Sequence, residues 1–151
     1  MMEGPSPDVQ VIDVNCDGSV LKQVTRQGTG EAAPPLGSLV KVHYRGRVVN
    51  GPNGEAAAEW FDSSEGRGAM SFVLGRDPVI QGWTDVVKTM KLGERAWVTI
   101  APAKGYGAQG RPPAIPGGAA LLFEIELLSF EAPANQPTGG RGGGGGGDRA
   151  G

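Results

Sequence analysis

The sequence predicts an α+β domain in which a curved antiparallel sheet packs on one amphipathic helix. Several segments alternate apolar and polar residues with the two-residue period of half-buried strands. One segment, after Pro78, spaces its apolar residues as a helix does. Strands that follow one another without regular intervening helices favour antiparallel pairing, and the apolar stripe of the helix needs a sheet to cover.

The amino-terminal part of the chain provides the first three predicted strands. Val9 to Val14 forms a first apolar run, Asn15 to Gly18 a turn, and Val20 to Thr25 a second strand. Leu39 to Val49 is a longer run rich in β-branched residues, which we expect to break at Gly46.

A strong turn and a short strand follow. Asn50 to Glu55, with the sequence NGPNGE, predicts the turn, and the AAAEW segment after it fits either a short helical turn or a bulging loop. Met70 to Leu74 predicts a short strand that stops at Gly75.

The helix and the last two strands complete the domain. Apolar residues at helical spacing after Pro78 are Ile80, Trp83, Val86 or Val87, and Met90, and Gly93 comes soon after the last of them. Ala96 to Ile100 and Leu121 to Leu127 alternate apolar with polar or bulky residues, which predicts two half-buried antiparallel strands.

The chain of 151 residues is long enough for one domain with a real core. We expect this domain to span residues 8–130. Residues 1–7 and 131–151 carry too few apolar side chains to offset the entropy of ordering, so we expect both tails to be disordered.

Charge and cysteine content restrict partners and compartment. With 14 basic and 16 acidic residues, the chain has no electrostatic footprint for nucleic acid or for an anionic membrane. No segment resembles a signal peptide or a membrane span. Cys16 is alone, which favours a reducing compartment, so we expect the cytoplasm, with the nucleus also possible.

Catalysis by metal or by acid–base groups has little support in the sequence. The single His43 lies in a predicted strand, Cys16 lies in a turn, and no metal-ligand spacing occurs, so we expect no metal and no cofactor. Gly105, Gly107 and Gly110 satisfy the dinucleotide-binding pattern formally. Because Arg111 and two prolines follow, this segment does not open a crossover helix, and a loop is the better interpretation.

Aromatic residues stand in local phrases beside glycine and turn residues, where side chains can line a pocket as well as fill a core. The phrases, in order, are VHYRG, WFDSS, FVLG, VIQGW, GYGAQG and PGGAALLFEIELL. Each phrase alone is a weak or moderate signal, but six in order at compatible spacing are specific. Over about residues 20–130 the chain resembles the FKBP-type peptidyl-prolyl isomerases, the immunophilins that bind tacrolimus and rapamycin.

The resemblance implies a five- or six-stranded antiparallel sheet wrapped around a short helix, with a proline pocket between them. It also implies a role for each matching residue. Trp83 would form the floor of the pocket, Tyr44 would line its wall, Phe61 would flank the prolyl ring, and Ile115 and Phe123 would close the apolar side. Asp62 would be a polar group at the rim, and the Tyr106 hydroxyl would donate to a substrate carbonyl. Val79 and Ile80 would form another edge, with the Ile80 N–H as a second donor.

Departures from the family pattern concern the rim. Met70 stands where small members carry phenylalanine, Arg111 and Ala114 stand where they often have histidine and isoleucine, and extra residues lie between Tyr44 and Phe61. Arg67 is expected to order the loop after Phe61 through an ion pair with Asp62.

The function implied is cis–trans isomerisation of X-Pro bonds during protein folding, with binding of macrolides of the tacrolimus type, by a monomer. Two alternatives remain open at this stage. The pocket could bind proline segments or macrolides without turnover, or the glycine-rich tail around Arg141 could bind RNA, although a flexible spacer is the simpler interpretation of that tail. We expect no helical-repeat extension of the kind that larger FKBP-type cochaperones carry.

Overall fold

In a computed structural model of the chain, the structure describes residues 10–30, 33–50, 55–56, 60–77, 79–111 and 115–132. Most of both predicted tails, the centre of the NGPNGE turn and most of AAAEW lie outside these residues, as do Pro78 and Ala114. No helix within the described ranges has the length and apolar character needed to span a bilayer.

The described part of the chain contains one antiparallel sheet, one α-helix and a short 3-10 helix (Pro102–Lys104), which confirms the predicted α+β class. The strands are β1 (Ile12–Asp13), β2 (Val20–Arg26), β3 (Leu39–Asn50), β4 (Glu55–Ala56), β5 (Asp62–Ser63), β6 (Met70–Val73), β7 (Arg95–Ile100) and β8 (Ala120–Glu131). The order across the sheet is β1-β2-β7-β8-β3-β4, and β5 and β6 also pair with β3. Five strands have four residues or more, and the other three have two residues each.

Strand β3 is continuous, so the predicted break at Gly46 is wrong. Gly46 pairs with Phe123 of β8 on one side and with Asp62 of β5 on the other, and these ladders hold its backbone extended. Glycine is needed there for space. A Cβ atom built on Gly46 would lie 2.5 Å from the Phe123 ring and 2.9 Å from the Phe61 ring.

The helix α1 (Gln81–Val87) is shorter than its apolar pattern suggests. Met90, which the pattern includes, lies beyond the helix in a tight turn closed by its own N–H donating to the Val87 carbonyl at 3.0 Å. Met90 is nevertheless fully buried, so its burial, and not its helical conformation, explains the periodicity. Gly82 lets α1 approach the sheet, because a Cβ there would lie 2.7 Å from Ile100.

The core lies between α1 and the inner face of the sheet. Its residues alternate along β3, β7 and β8 as predicted, and they include Val40, Val42, Val86, Val98, Ile100, Leu121, Ile125 and Leu127, each 0% exposed. At about 25 cal/mol for each Å² of apolar surface removed from water, this burial is the main term that stabilises the fold.

A buried ion pair links β2 to the segment between α1 and β7. Lys22 and Glu94 are each 4% exposed, and the Lys22 ammonium donates to the Glu94 carboxylate at 2.8 Å. The same ammonium donates to the Thr89 hydroxyl at 3.0 Å. Because removal of one buried partner leaves the other charge without compensation, the pair specifies this junction even where its net stabilisation is small.

The outer face of the sheet carries a second cluster, formed by Arg45, Arg47, Trp60 and Trp97. The Trp60 and Trp97 rings stack with centroids 6.3 Å apart, and the Arg47 guanidinium carbon lies 3.7 Å from the Trp60 ring centroid. At Ala56 the AAAEW segment is a strand, and at Trp60 it packs on the back of the sheet. Trp60, immediately before Phe61, therefore lies on the face of the sheet opposite to Tyr44.

We predict that Lys22→Met destabilises the domain by about 3 to 5 kcal/mol, because Glu94 would remain buried and unpaired. The double variant Lys22→Met/Glu94→Leu should recover most of this loss, since it buries two apolar side chains of similar size. Urea denaturation of the wild type, the single variant and the double variant measures both values. A double variant as unstable as the single one would contradict this explanation.

Candidate active site

A cavity of about 410 Å³ opens between α1, the inner face of the sheet and two loops. Its volume lies within the range of small-molecule sites. Ten of the twelve residues predicted from the sequence line it: Tyr44, Phe61, Asp62, Met70, Val79, Ile80, Trp83, Tyr106, Arg111 and Phe123.

Aromatic rings packed edge to face form the floor and walls. Trp83, on α1, is 5% exposed and lies at the centre of this group. The centroid of its ring is 4.9 Å from that of Tyr44 and 5.3 Å from that of Phe123, with interplanar angles of 70° and 87°. Such contacts add to the stabilisation from area burial and fix ring orientation, so the floor is rigid before any ligand enters.

The segment WFDSS brings two of the lining residues into place by pairing with β3. The Phe61 N–H donates to the Gly46 carbonyl at 2.9 Å, and the Ser64 N–H donates to the Tyr44 carbonyl at 2.8 Å. Phe61 therefore lies over Gly46, with its ring 5.7 Å from that of Phe123. Strand β5, which the sequence analysis did not predict, positions this wall.

A three-membered polar cluster lies at the rim beside this wall. The Tyr44 hydroxyl donates to Asp62 Oδ2 at 2.8 Å, and Arg67 Nη2 donates to Asp62 Oδ1 at 2.8 Å and to the Tyr44 oxygen at 2.9 Å. The predicted ion pair of Arg67 with Asp62 is confirmed. Burial, followed by the hydrogen bond to Asp62, raises the pKa of Tyr44 above its usual value, so its hydroxyl stays protonated at neutral pH.

A glycine-rich loop carries Tyr106 and Arg111 to the other part of the lining. The Gly110 N–H donates to the Tyr106 carbonyl at 3.1 Å, and the backbones of Arg111 and Ile115 exchange hydrogen bonds of 2.8 and 3.0 Å. The interpretation of Gly105 to Gly110 as a loop, and not as a dinucleotide motif, is confirmed. Arg111 Nη1 donates to the Tyr106 hydroxyl oxygen at 3.2 Å, which leaves the Tyr106 proton available for another acceptor.

The Ile80 backbone N–H is a second donor at the cavity. Ile80 precedes the helix in extended conformation, with φ −61° and ψ 145°. No described residue accepts a hydrogen bond from this N–H. This N–H is therefore free to donate to a ligand carbonyl in the cavity.

Two predicted residues stand apart from the cavity. Ile115 is not among the lining residues, since it is 2% exposed and packs in the core while its backbone closes the loop on Arg111. Ala114 lies outside the described residues. The roles assigned to the ten lining residues stay predictions.

Sequence reasoning missed two features of the site. The first is Gly46, whose missing side chain makes room for Phe61 and Phe123. The second is the Trp83 indole N–H, which is buried and has no hydrogen-bond partner in the described part of the chain. A glycine inside an otherwise regular strand pattern was the available indication of the first, because such a glycine often marks close approach by another group.

A second cavity, of about 470 Å³, differs in chemistry. It is lined by polar and charged residues that include His43, Arg95, Glu124 and Glu126. His43 is exposed there, and its Nδ1 lies 2.9 Å from the Ser64 hydroxyl, in agreement with a structural histidine on a strand. The aromatic cavity is therefore the better candidate for an apolar ring.

The fold and the cavity together define a class of small α+β domains with an aromatic cavity between a helix and an antiparallel sheet. The sequence profile of the FKBP-type peptidyl-prolyl cis-trans isomerase family matches residues 30–128. The chain belongs to this family.

Individual relatives agree with this assignment. FK506-binding protein 59 of Drosophila melanogaster is 43% identical over 133 residues, which cover 87% of this chain and 29% of that protein. FK506-binding protein 1A of Aspergillus fumigatus is 43% identical over 112 residues, covering 74% of this chain and 94% of that protein. The chain thus spans under a third of the first relative and almost all of the second.

Among solved structures, the N-terminal domain of FKBP42 from Arabidopsis thaliana superposes with a TM-score of 0.72 at 28% identity. The match covers 85% of this chain and 98% of that chain. The predicted wrapping of the sheet around a short helix is confirmed by this likeness.

We predict that Gly46→Ala destabilises the domain by about 1 to 3 kcal/mol and displaces Phe61 or Phe123, because the new methyl group would overlap both rings. Chemical denaturation measures the first effect, and NMR shifts of the Phe61 and Phe123 ring protons measure the second. Gly66→Ala serves as a comparison. Unlike the extended Gly46, Gly66 has a left-handed backbone (φ +82°), so alanine is strained there, but no atom lies within 4 Å of its added Cβ. This backbone strain should leave the cavity rings unmoved.

Proposed function

We propose that this chain is a peptidyl-prolyl cis–trans isomerase that acts on X-Pro bonds of unfolded or flexible protein segments. The observation that carries the proposal is the cavity itself, an aromatic floor of Trp83 with walls of Phe61, Tyr44 and Phe123 and polar donors at the edge. Family membership and the names of its relatives support the same activity.

Desolvation is the first contribution that the cavity makes. Resonance opposes rotation about a peptide bond by about 18 to 20 kcal/mol, and the planar dipolar form is the one that water solvates best. When the prolyl ring enters the aromatic cavity, its amide leaves water, and the less polar twisted form becomes favoured relative to solution. No nucleophile and no proton transfer are required.

Orientation is the second contribution. The Ile80 N–H and the Tyr106 hydroxyl each have a proton available at the cavity. Two donors that hold carbonyls on the flanking backbone keep the peptide in place while one bond turns, which lowers the entropic part of the barrier. The Tyr44–Asp62–Arg67 cluster keeps the wall in place, and its polar groups hydrogen-bond to one another.

The same apolar cavity supports binding of macrolides of the tacrolimus type, as the family and its relatives' names suggest. A binding module without turnover is the second candidate, because an apolar cavity serves either purpose. RNA binding by the tail has no support in the described residues, since Arg141 lies outside them.

We further propose that the chain acts as a monomer in the cytoplasm or nucleus. The exposed and unpaired Cys16 supports a reducing compartment. Light scattering of the purified chain tests the first statement, and imaging of the tagged full-length protein tests the second. A stable dimer or a secreted product would contradict them.

We predict that the chain accelerates exchange of a Leu-Pro peptide and that Trp83→Phe lowers kcat/KM about tenfold, corresponding to about 1.4 kcal/mol of transition-state stabilisation. NMR exchange spectroscopy on the peptide measures the rate without a coupling protease. Trp60→Phe is the matched control, because it makes the same change on the outer face and should alter kcat/KM less than about twofold. No acceleration by a folded wild type that still binds the peptide would leave only the binding module.

We predict a smaller loss for Tyr106→Phe, which keeps the ring and removes only the hydroxyl. One hydrogen bond is worth about 0.5 to 1.5 kcal/mol net, so kcat/KM should fall about two- to tenfold. Thermal unfolding of the variant should match the wild type, because the hydroxyl contacts only the exposed Arg111 among the described residues. An unchanged kcat/KM would remove Tyr106 from the substrate contacts.

A further inference from the structure

The charged residues that line the cavity differ in whether an oppositely charged side chain lies within ion-pair distance. Asp62 and Arg111 are the charged residues that line it. The Asp62 carboxylate is matched by Arg67 at 2.8 Å. For Arg111, the described residues supply no carboxylate within ion-pair distance. The rim of the cavity therefore carries one positive charge without a counter-charge from this part of the chain.

The guanidinium of Arg111 lies beside the Tyr106 hydroxyl, which we propose as a hydrogen-bond donor to the substrate. Its Nη1 is 3.2 Å from the Tyr106 hydroxyl oxygen, and its carbon is 5.7 Å from the Tyr106 ring centroid. The backbone bridge to Ile115 holds the base of the side chain. A guanidinium has five N–H donors, so most of them remain available to a ligand at this position.

We propose that Arg111 makes the cavity prefer an acidic residue immediately before the proline, a preference that rests on the proposed isomerase function. When the prolyl ring occupies the apolar floor, the preceding side chain must lie toward the rim. The Tyr106 hydroxyl would hold a carbonyl next to the turning bond, and the guanidinium is within hydrogen-bond distance of that hydroxyl. A Glu or Asp side chain at this position reaches Arg111, and the pair forms charge-assisted hydrogen bonds.

The solvent exposure of Arg111 sets the size of the preference for an acidic residue before proline. Arg111 is exposed, so water and salt screen its interaction with a carboxylate. Exposed pairs of this kind change an equilibrium by about threefold, and the effect decreases when the ionic strength rises. The preference is therefore a modest selection among X-Pro sites and not an absolute requirement.

The test compares peptides that differ only in charge. Exchange spectroscopy gives kcat/KM for Glu-Pro and Gln-Pro peptides of otherwise identical sequence, with Leu-Pro as the reference for isomerase activity. For the wild type we expect the Glu/Gln ratio to be about three at low salt and to approach one near about 0.5 M salt. Arg111→Gln should bring the low-salt ratio to about one, and Arg111→Lys should keep part of it, because lysine retains the charge without the planar fork.

The matched control is Arg76→Gln, which removes the same charge from an exposed turn that does not line the cavity. Its Glu/Gln ratio should equal that of the wild type. A wild-type ratio of one, or a ratio that persists in Arg111→Gln, overturns the preference while Leu-Pro acceleration leaves the isomerase assignment standing. Failure to accelerate any of the three peptides overturns both.

Discussion

The close approach of Phe61 and Phe123 over Gly46 is the contact on which the cavity depends. Strand β3 carries this glycine and pairs with β8, β5, β6 and β4, so it holds in register the elements that supply most of the walls. Without a side chain at Gly46, the two rings meet edge to face, 5.7 Å apart. Trp83 then packs against Phe123 from the helix side and completes the floor.

The site separates apolar from polar groups in a way that suits bond rotation. Aromatic rings occupy the floor, and the lining also includes the hydrogen-bonding side chains of Asp62, Tyr106 and Arg111. In the proposed isomerase mechanism, desolvation would act on the amide that turns and the donors would act on the segments beside it, so the two contributions would not oppose each other. Under the proposed function, this arrangement would promote rotation of the bond without an acid–base pair.

The charged residues at the rim are of two kinds: a pair that stabilises the cavity wall, and an arginine with no carboxylate partner among the described residues. Asp62 and Arg67 neutralise each other and hold the Tyr44 hydroxyl, which fixes the wall. Arg111 instead stands on a loop and contacts the hydroxyl of Tyr106. Loop positions vary without disturbing a core, so specificity can change at Arg111 while the floor stays the same.

The sequence by itself determined the class of fold, the family and most of the cavity lining. Two local patterns follow from which face of an element is buried. They are the alternation of apolar residues along β7 and β8 and the helical spacing of apolar residues up to Met90. The ordered aromatic phrases identified Trp83 and Phe123 through the family resemblance, and Val79 and Ile80, close to Trp83 in sequence, also line the cavity.

Only the tertiary structure decided the continuity of β3 at Gly46, the pairing of β5, the burial of Ile115 and the position of Trp60 on the outer face. Each of these depends on partners distant in sequence. A glycine within a strand pattern can indicate a break or a close approach, and only the tertiary structure shows that two rings lie over Gly46.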